Sequence, residues 1–199
     1  MGKCDQLIFQ FGIRDGHPRE AVTAYTGDRY TQHSTGVGDG IEGFVAFFEP
    51  FIKRCPVRDI QVIRAIVDGQ YVFCHVYQSL NNGEAKWVTA DLFDTDCNDK
   101  IIEHWDVIQE YAEHTVSGRS MIDGPTTVED LQKTDANKAL VSQFCQEILI
   151  DGKVDTIDQF ISEQDFHQHN PYIADNLLGL DKHLKLLAEQ GVSETYHKI

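Results

Sequence analysis

The chain has 199 residues, a length that suits one large domain or a domain and a half. Hydrophobic residues make up 41% and charged residues 25%, a globular composition that excludes disordered, collagen-like and disulfide-framework chains. With 32 acidic against 17 basic side chains, the formal net charge of -15 would repel a phosphate backbone or an anionic membrane. We therefore expect neither nucleic acid nor a membrane as a partner.

The five cysteines are scattered along the chain and form no CxxC pair, a pattern typical of reduced thiols in a cytosolic protein. No apolar run approaches the length of a membrane span, and the first residues lack the apolar core of a signal peptide. These observations predict a cytoplasmic protein.

The first quarter of the chain is predicted to be helical. A first helical segment ends at Asp15, and Pro18 opens a second short helix that runs to about Gly27. After a polar stretch, a third helix is predicted over Ile41–Cys55, with Pro50 as a kink. Its phenylalanines recur at helical spacing and are Phe44, Phe47, Phe48 and Phe51. This spacing is typical of an aromatic-rich core helix.

Strand patterning follows, with alternating side chains in runs that turn residues separate. Four strands are predicted, over Asp59–Val67, Tyr71–Leu80, Lys86–Asp94 and Ile101–Glu110. Short connections of this kind favour an antiparallel meander. Helices followed by an antiparallel sheet predict an α+β fold in which the sheet curls around one long helix.

Beyond residue 112 the sequence repeats itself. Residues 113–134 are predicted to be a linker, and residues 135–199 a mainly helical second copy. A shift of 136 residues aligns the copies without a gap and gives six identities between residues 15 and 44, where roughly two are expected by chance. The identical pairs are Asp15 with Asp151, Gly16 with Gly152, Gln32 with Gln168, His33 with His169, Asp39 with Asp175 and Gly43 with Gly179. The alternative is that two helical segments look alike by composition alone.

The second copy lacks the strands of the first, because on this register Ile63 falls on Ile199. Three explanations stay open: truncation of a longer parent protein, which we favour, docking of these helices on the first domain, or docking on another chain. The predicted organisation is a complete domain over residues 1–112 and an incomplete second copy over residues 135–199.

One predicted strand carries the first candidates for chemistry. Side chains alternate along Ile101–Ile108, so His104 and Asp106 share one face while Glu103 and Trp105 share the other. Two ionisable groups on an otherwise apolar concave face are costly unless they hydrogen-bond or face a cavity. The alternative is that His104 and Asp106 lie on the solvated outer face, with Trp105 in the core.

Two further strand residues are candidates. Asp91 is a lone acid in an apolar run, and a tight hairpin would place it across from His104 or Asp106, where a second carboxylate would raise one pKa. An edge-facing or cross-strand-paired Asp91 is the alternative. His75 is either a site residue or a histidine satisfied within the core.

Metal and nucleotide sites lack their local patterns. None of the nine histidines belongs to an HExxH or HxxxH motif, and no cysteine cluster accompanies them. A GxSxG elbow and a P-loop are also absent from the sequence. We expect no metal and no cofactor.

Four stretches carry a resemblance to a known family. They are Tyr30–Ser34 (YTQHS), Asp39–Phe44 (DGIEGF), Ala90–Phe93 (ADLF) and Asp99–Ile108 (DKIIEHWDVI). Together they resemble the SnoaL-like polyketide cyclase family, within the cystatin-like, nuclear-transport-factor-2-like superfamily of α+β cones. The resemblance covers about residues 5–110, and its first part recurs in residues 135–199 with the motif Gln168–Pro171 (QHNP). It implies a conical pocket lined by the concave face of the sheet and capped by the first helices.

The resemblance also implies an activity and its residues. Cyclases of this family close a polyketide ring by intramolecular aldol condensation without metal or organic cofactor, with an aspartate near the end of the sheet as acid and base. That role falls on Asp106, with His104 and Asp91 as neighbours that tune or orient it. The residues implied to hydrogen-bond the substrate oxygen that becomes an enolate are His33, His75 and Tyr30. Ser34-Thr35 stands where the family has Asn-Pro, which puts an amide contact from position 34 in question.

Three functions stay open at this point. The leading one is a small cofactor-free enzyme that abstracts a proton next to a carbonyl in a hydrophobic pocket, as a cyclase or an isomerase does. The second is an epoxide or ester hydrolase in which Asp106 or Asp91 activates water. The third is a non-catalytic small-molecule-binding module. In each case the predicted partner is a small hydrophobic molecule, and the outer sheet face around Glu103, Trp105 and Val107 predicts a homodimer.

Overall fold

A computed structural model describes residues 8–192 of the chain. Residues 1–7 and 193–199, which include the end of the predicted second copy with Ile199, lie outside the described residues. The chain divides into two compact units, Met1–Tyr111 and Ala112–Ile199. None of the described helices combines the length and the apolar character needed to cross a membrane.

The first unit begins with helices and ends with strands, as the sequence predicts. A π-helical segment over Ile8–Arg14 is followed by helix α1 (Pro18–Tyr25), strand β1 (Thr26–Gln32), helix α2 (Gly40–Arg54) and strands β2 (Arg58–Asp68), β3 (Tyr71–Leu80), β4 (Ala85–Thr95) and β5 (Ile101–Glu110). The four predicted strands and the long aromatic helix are confirmed to within a residue or two at each end. Pro50 lies inside α2, which continues through it to Arg54.

The strands form one five-stranded sheet in the order β1-β5-β4-β3-β2. The pairs from β2 to β5 are antiparallel and form the predicted meander, and the sheet is curved. Strand β1 was not predicted from the sequence. It pairs in parallel with β5, and the His33 N–H extends the pairing by donating to the His104 carbonyl oxygen over 2.9 Å. The run TGDRYTQ has no apolar alternation, so its strand conformation depends on the β5 edge rather than on its own pattern.

The core fills the space between the concave sheet face and the helices. Phe44 and Val45 of α2 are each 3% exposed, and Val72, Cys74 and Val76 alternate inward along β3. Complete burial of a large apolar side chain contributes about 1.5–3 kcal/mol, so this layer supplies much of the unit's stability.

Arg58, at the start of β2, ties the helical layer to the sheet. Its guanidinium donates to the carbonyl oxygens of Ile13 and Arg14, which end the π-helical segment, and to those of Ile52 and Cys55 near the end of α2. Because helix C-termini leave carbonyl oxygens without intrahelical partners, one cation satisfies two such ends. The helices that cap the sheet are thereby held at a fixed place.

The second unit is helical in its described part. It contains a 3-10 turn over Leu131–Lys133, helix α3 (Thr134–Phe144), a π-helical segment over Cys145–Ile150, a 3-10 turn over Val154–Gln159 and helix α4 (Leu177–Glu189), with no strand among residues 112–192. Part of the predicted linker is bonded within this unit, because Arg119 pairs with Asp175 at 2.5 Å and His169 Nδ1 lies 3.0 Å from the Ser120 carbonyl oxygen.

The two units share local geometry at the offset of 136 residues that aligns their sequences. Each contains a π-helical segment followed by a positive-φ glycine, Gly16 or Gly152. Equivalent bonds run from Asp15 N to Gln10 O and from Asp151 N to Gln146 O (2.9 Å each), and from Gln32 N to Asp39 Oδ1 (2.7 Å) and from Gln168 N to Asp175 Oδ1 (2.8 Å). These bonds recur one by one, while the tandem duplication itself stays a prediction.

Candidate active site

A cavity of about 370 Å³ lies inside the first unit, between the concave sheet face and the helices. Its wall is mainly apolar and aromatic, with Phe44, Phe47, Phe48 and Phe51 contributed by α2. The spacing that identified α2 as a core helix therefore turns the same rings toward the cavity. A concave, mostly apolar pocket with a few polar groups is the usual form of a small-molecule site.

The acidic and imidazole groups of this pocket come from two adjacent strands. Asp91 of β4 is in register with Asp106 of β5, and the neighbouring pair is Phe93 with His104. The predicted alternation holds, since Asp91, His104 and Asp106 all line the cavity. The alternatives that placed His104 on the solvated outer face or Asp91 at a sheet edge do not hold, because Asp91 is 3% and His104 9% exposed. The alternative of a cross-strand-paired Asp91 agrees with its contact with His104.

Asp91 and His104 form a buried pair. His104 Nε2 lies 3.0 Å from Asp91 Oδ1, and the Thr89 hydroxyl donates to Asp91 Oδ2 over 2.5 Å. Burial raises the pKa of the Asp91 carboxyl, the hydrogen bonds from His104 and Thr89 oppose this, and the charge of Asp106 adds to it. The Asp91 carboxyl therefore keeps its proton more readily than an exposed aspartate does.

Gln32 settles which nitrogen of His104 carries a proton. The Ser34 backbone N–H donates to Gln32 Oε1 over 3.1 Å, so this atom must be the amide oxygen rather than the nitrogen. His104 Nδ1 lies 2.8 Å from the same oxygen. Since an amide oxygen only accepts, Nδ1 is the donor and carries a hydrogen.

The Asp91–His104 contact must then contain a proton of its own. With Nδ1 protonated, Nε2 either has a lone pair or a second hydrogen. A lone pair facing an ionised carboxylate would be repulsive at 3.0 Å, so the contact holds a proton as Asp91–OH with neutral His104 or as Asp91 carboxylate with imidazolium. In both forms the pair has no net charge.

Asp106 lies beside this pair and is held by a residue from the loop after β1. The Ser34 hydroxyl donates to Asp106 Oδ2 over 3.0 Å. A hydroxyl therefore makes a contact from the position where the resembled family has asparagine. Among the described residues, Asp106 Oδ1 makes no hydrogen bond, and the side chain lines the cavity.

Tyr30 presents a phenol to the same end of the cavity. It is 6% exposed, and Gln32 Nε2 donates to its oxygen over 3.1 Å. Burial raises the pKa of the Tyr30 hydroxyl strongly, and the charges of Asp91 and Asp106 raise it further. Tyr30 is therefore a neutral phenol, and its O–H hydrogen is available to a ligand oxygen.

Two of the expected substrate-binding residues lie elsewhere, which corrects the sequence expectation for His33 and His75. His33 stacks on Trp105 with 4.5 Å between ring centroids, and its Nε2 lies 3.0 Å from Glu103 Oε2. His75 Nδ1 lies 2.6 Å from the Arg64 guanidinium. Neither histidine is among the described residues that line the cavity. The physical reason is the pleat: each follows an inward-facing neighbour and so points to the opposite face.

The same cluster has the donor set of a metal site. One ligand atom each from Asp91, His104 and Asp106 lies within 4.8 Å of the others. Carboxylate and imidazole ligands suit zinc and other first-row divalent cations. A cation here would have to replace the proton between His104 and Asp91. The sequence expectation of no metal rested on local spacing, which cannot detect ligands that meet across two strands.

The structure adds three residues that sequence reasoning did not assign to the site. Gln32 orients His104, Ser34 contacts Asp106 and Thr89 contacts Asp91. Gln32 and Ser34 belong to the YTQHS stretch, so the motif was visible but its roles were not. Thr89 lies two residues before Asp91 on β4, and this same-face spacing was the available signal.

Comparisons with known proteins concern the fold. No protein-family model and no curated protein matches the chain. Among solved structures, a proposed polyketide cyclase from Bacillus cereus is 17% identical over 53% of this chain and 71% of its own, with a TM-score of 0.46. A proposed SnoaL-like polyketide cyclase from Jannaschia sp. is 19% identical over 53% and 83%, with a TM-score of 0.45. A proposed isomerase of the SnoaL-like family from Agrobacterium tumefaciens is 13% identical over 53% and 94%, with a TM-score of 0.44.

Proposed function

We propose that the first unit is an acid–base enzyme that forms an enolate from a small hydrophobic carbonyl compound, as an aldol cyclase or an isomerase does. The observation that carries the proposal is the placement of Asp106 in an apolar cavity, directly beside a buried Asp91–His104 pair that holds one proton. No metal or organic cofactor is needed for the steps below.

Asp106 is the proposed base. Ser34 holds Oδ2, and Oδ1 is left to receive a proton from a carbon next to the substrate carbonyl. A general base must come within about 3 Å of the proton it removes. Because Asp106 lines the cavity, a bound substrate can reach it without movement of the sheet.

The Asp91–His104 pair is proposed to place no net charge beside Asp106. If Asp91 were ionised beside a neutral imidazole, two carboxylates in register on neighbouring strands would repel each other. A proton held within the pair removes that second negative charge. The pair is therefore proposed to tune the base rather than to react with the substrate.

Tyr30 is the proposed donor to the developing oxyanion. Its hydroxyl oxygen already accepts from Gln32, so its hydrogen is directed to another acceptor. A donor fixed before the reaction stabilises an enolate oxygen without reorganisation, and loss of such a donor typically costs about 10²–10³-fold in rate. Tyr30 and Asp106 thus supply the two groups that enolisation requires.

The apolar side chains that line the rest of the cavity are proposed to determine which substrate skeleton binds. The rings of α2 with Phe9, Trp87 and Phe93 surround most of the cavity, so an apolar and preferably planar skeleton fits it. Apolar surface removed from water contributes about 25 cal/mol per Å², which favours a hydrophobic ketone or ester over a hydrophilic one. The polar groups orient the carbonyl at one end.

The test is proton NMR of α-deuterium exchange in a panel of hydrophobic ketones and β-keto esters. We expect the wild type to accelerate exchange into at least one member and Asp106→Asn to lose this acceleration while remaining folded by circular dichroism. Glu103→Gln is the matched control, because it removes a carboxylate from the opposite face of the same strand. It should exchange at the wild-type rate.

Other outcomes would replace the proposal. No exchange above buffer in any compound, together with Asp106-dependent hydrolysis of an epoxide or an ester, would assign the hydrolase. Binding without turnover, with affinity unchanged by Asp106→Asn, would assign the non-catalytic binding module.

A further inference from the structure

We infer that Gln32 is a positioning residue that fixes His104 in the form that keeps a proton between His104 and Asp91. The catalytic consequence rests on the proposed function, whereas the position of the proton can be measured without any turnover. Gln32 acts through His104 and through Tyr30, and its amide oxygen and nitrogen have separate roles.

The loop after β1, rather than His104, orients the Gln32 amide. The Gln32 backbone N–H donates to Asp39 Oδ1 over 2.7 Å, which closes the loop across the six residues between them. The Ser34 N–H then donates to Gln32 Oε1 over 3.1 Å. A flipped amide would place its NH₂ group against the Ser34 N–H, two donors facing each other, so only one orientation is stable.

The second unit provides an independent instance of this loop. The Gln168 N–H donates to Asp175 Oδ1 over 2.8 Å, and the Asn170 N–H donates to Gln168 Oε1 over 2.8 Å. Among the described residues, Gln168 Oε1 accepts from no imidazole. The loop therefore orients its glutamine oxygen by itself, and His104 finds the Gln32 acceptor already in place.

A fixed acceptor at Nδ1 changes what the pair can do when it loses a proton. With Gln32 present, Nδ1 keeps its hydrogen, so loss of the shared proton would leave a bare Nε2 lone pair against the Asp91 carboxylate. Without Gln32, the imidazole can release the Nδ1 proton instead and still donate from Nε2 to an ionised Asp91. Gln32 thus makes deprotonation of the pair unfavourable.

Within the part of the chain that the structure describes, three other titratable groups and one aromatic ring lie near the pair. Tyr30 faces it from β1 and Asp106 from β5, Cys74 of β3 is in register with Asp91, and Phe93 stacks on the His104 ring at 4.6 Å between centroids. Replacement of Gln32 by leucine changes none of these residues, but it also removes the hydrogen bond from Gln32 Nε2 to Tyr30. Tyr30→Phe leaves Gln32 in place, so a change seen in Gln32→Leu and not in Tyr30→Phe can be attributed to the lost acceptor.

The experiment is long-range ¹H–¹⁵N NMR of the full chain with ¹⁵N-labelled histidine, recorded over a pH titration. The His104 ring signals are assigned from their disappearance in His104→Gln. We expect Nδ1 of the wild type to stay protonated throughout. In Gln32→Leu the Nδ1 proton should be lost within the same pH range, because the imidazole can then release it and still donate from Nε2 to Asp91.

Two variants separate positioning from a general effect on stability. Gln32→Glu keeps an oxygen acceptor and should keep Nδ1 protonated, whereas Gln168→Leu removes the equivalent residue of the second unit and should leave His104 unchanged. Under the proposed function, the α-deuterium exchange rate of Gln32→Leu should begin to fall at a lower pH than the rate of the wild type.

The inference is overturned if Gln32→Leu, shown to be folded by its thermal transition, titrates at His104 as the wild type does. It is equally overturned if Gln168→Leu produces the same shift as Gln32→Leu. If the wild type catalyses no exchange while the NMR result is as expected, the proposed function fails and the role of Gln32 stands.

Discussion

His104 Nε2 and Asp91 Oδ1 are 3.0 Å apart although the two residues are diagonal rather than direct neighbours on β4 and β5. The direct partner of Asp91 is Asp106, so one buried carboxyl is within reach of both an imidazole and a second carboxylate. This arrangement explains why the pKa of Asp91 is raised by burial and by Asp106 even though His104 and Thr89 both bond to it. Because the pKa of Asp91 differs between the folded and unfolded chain, its protonation can be measured through the pH dependence of the free energy of unfolding.

Asp91→Asn should change how the free energy of unfolding depends on pH. In the unfolded chain an aspartate releases its proton around pH 3.8, whereas burial makes folded Asp91 release it at a higher pH. Between these two values the unfolded state binds fewer protons than the folded state, so rising pH lowers the stability of the wild type. Asparagine cannot ionise and removes this contribution. We expect the stability of the wild type relative to Asp91→Asn to decrease as pH rises above 3.8, measured by urea denaturation at a series of pH values.

The exposed Asp28 offers the control for that measurement, because it is an aspartate at the surface of β1. Asp28→Asn should follow the wild-type curve. A constant difference between wild type and Asp91→Asn at all pH values would contradict the raised pKa of Asp91.

Tyr30→Phe should slow α-deuterium exchange by about 10²-fold, because the enolate oxygen loses its donor. Affinity for the substrate should change less, since the ring and its apolar contacts remain. Tyr77→Phe is the control, as Tyr77 packs against Tyr111 and is not among the described cavity-lining residues. Equal exchange rates for Tyr30→Phe and the wild type, measured by NMR under saturating substrate, would remove Tyr30 from the mechanism.

Ser34→Ala should reduce the exchange rate by about tenfold or more, the effect of one hydrogen bond to a charged group. The hydroxyl holds Asp106 Oδ2, so its loss leaves the base less well oriented. Ser34→Asn supplies an amide donor at the same position and should recover part of the rate. An exchange rate of Ser34→Ala equal to that of the wild type would show that the Ser34 hydroxyl does not position Asp106.

Removal of divalent cations should leave the exchange activity unchanged, because the proposed steps use only the side chains of this chain. The measurement is the exchange rate before and after dialysis against EDTA. Added zinc should inhibit, and less so at lower pH, because it competes with the proton between His104 and Asp91 for the same atoms. Loss of activity on dialysis that a divalent cation restores would instead assign Asp91, His104 and Asp106 as metal ligands.

Much of the site could be predicted from the sequences of β4 and β5. Alternation along Ile101–Ile108 gives the shared face of His104 and Asp106, and the apolar run around Asp91 indicates a buried acid. Two histidines were misassigned because their strand partners were unknown: His33 is engaged by Glu103 and Trp105, and His75 by Arg64. Strand β1 was missed for a related reason, since its polar sequence becomes a strand only beside β5.

By itself the sequence determined the helices of the first unit and strands β2 to β5, with their order and period, because these depend on residues a few positions apart. It also predicted a repeat at an offset of 136 residues, and the loop bond from glutamine N–H to aspartate Oδ1 occurs at both positions, while the duplication stays a prediction. Only the tertiary structure decided that Gln32 reaches His104 and that Ser34 reaches Asp106, each across a sequence separation of 72 positions. The physical reason is that a hydrogen bond requires donor and acceptor within about 3 Å. That distance is set by strand register and by the parallel docking of β1 on β5, neither of which a local pattern encodes.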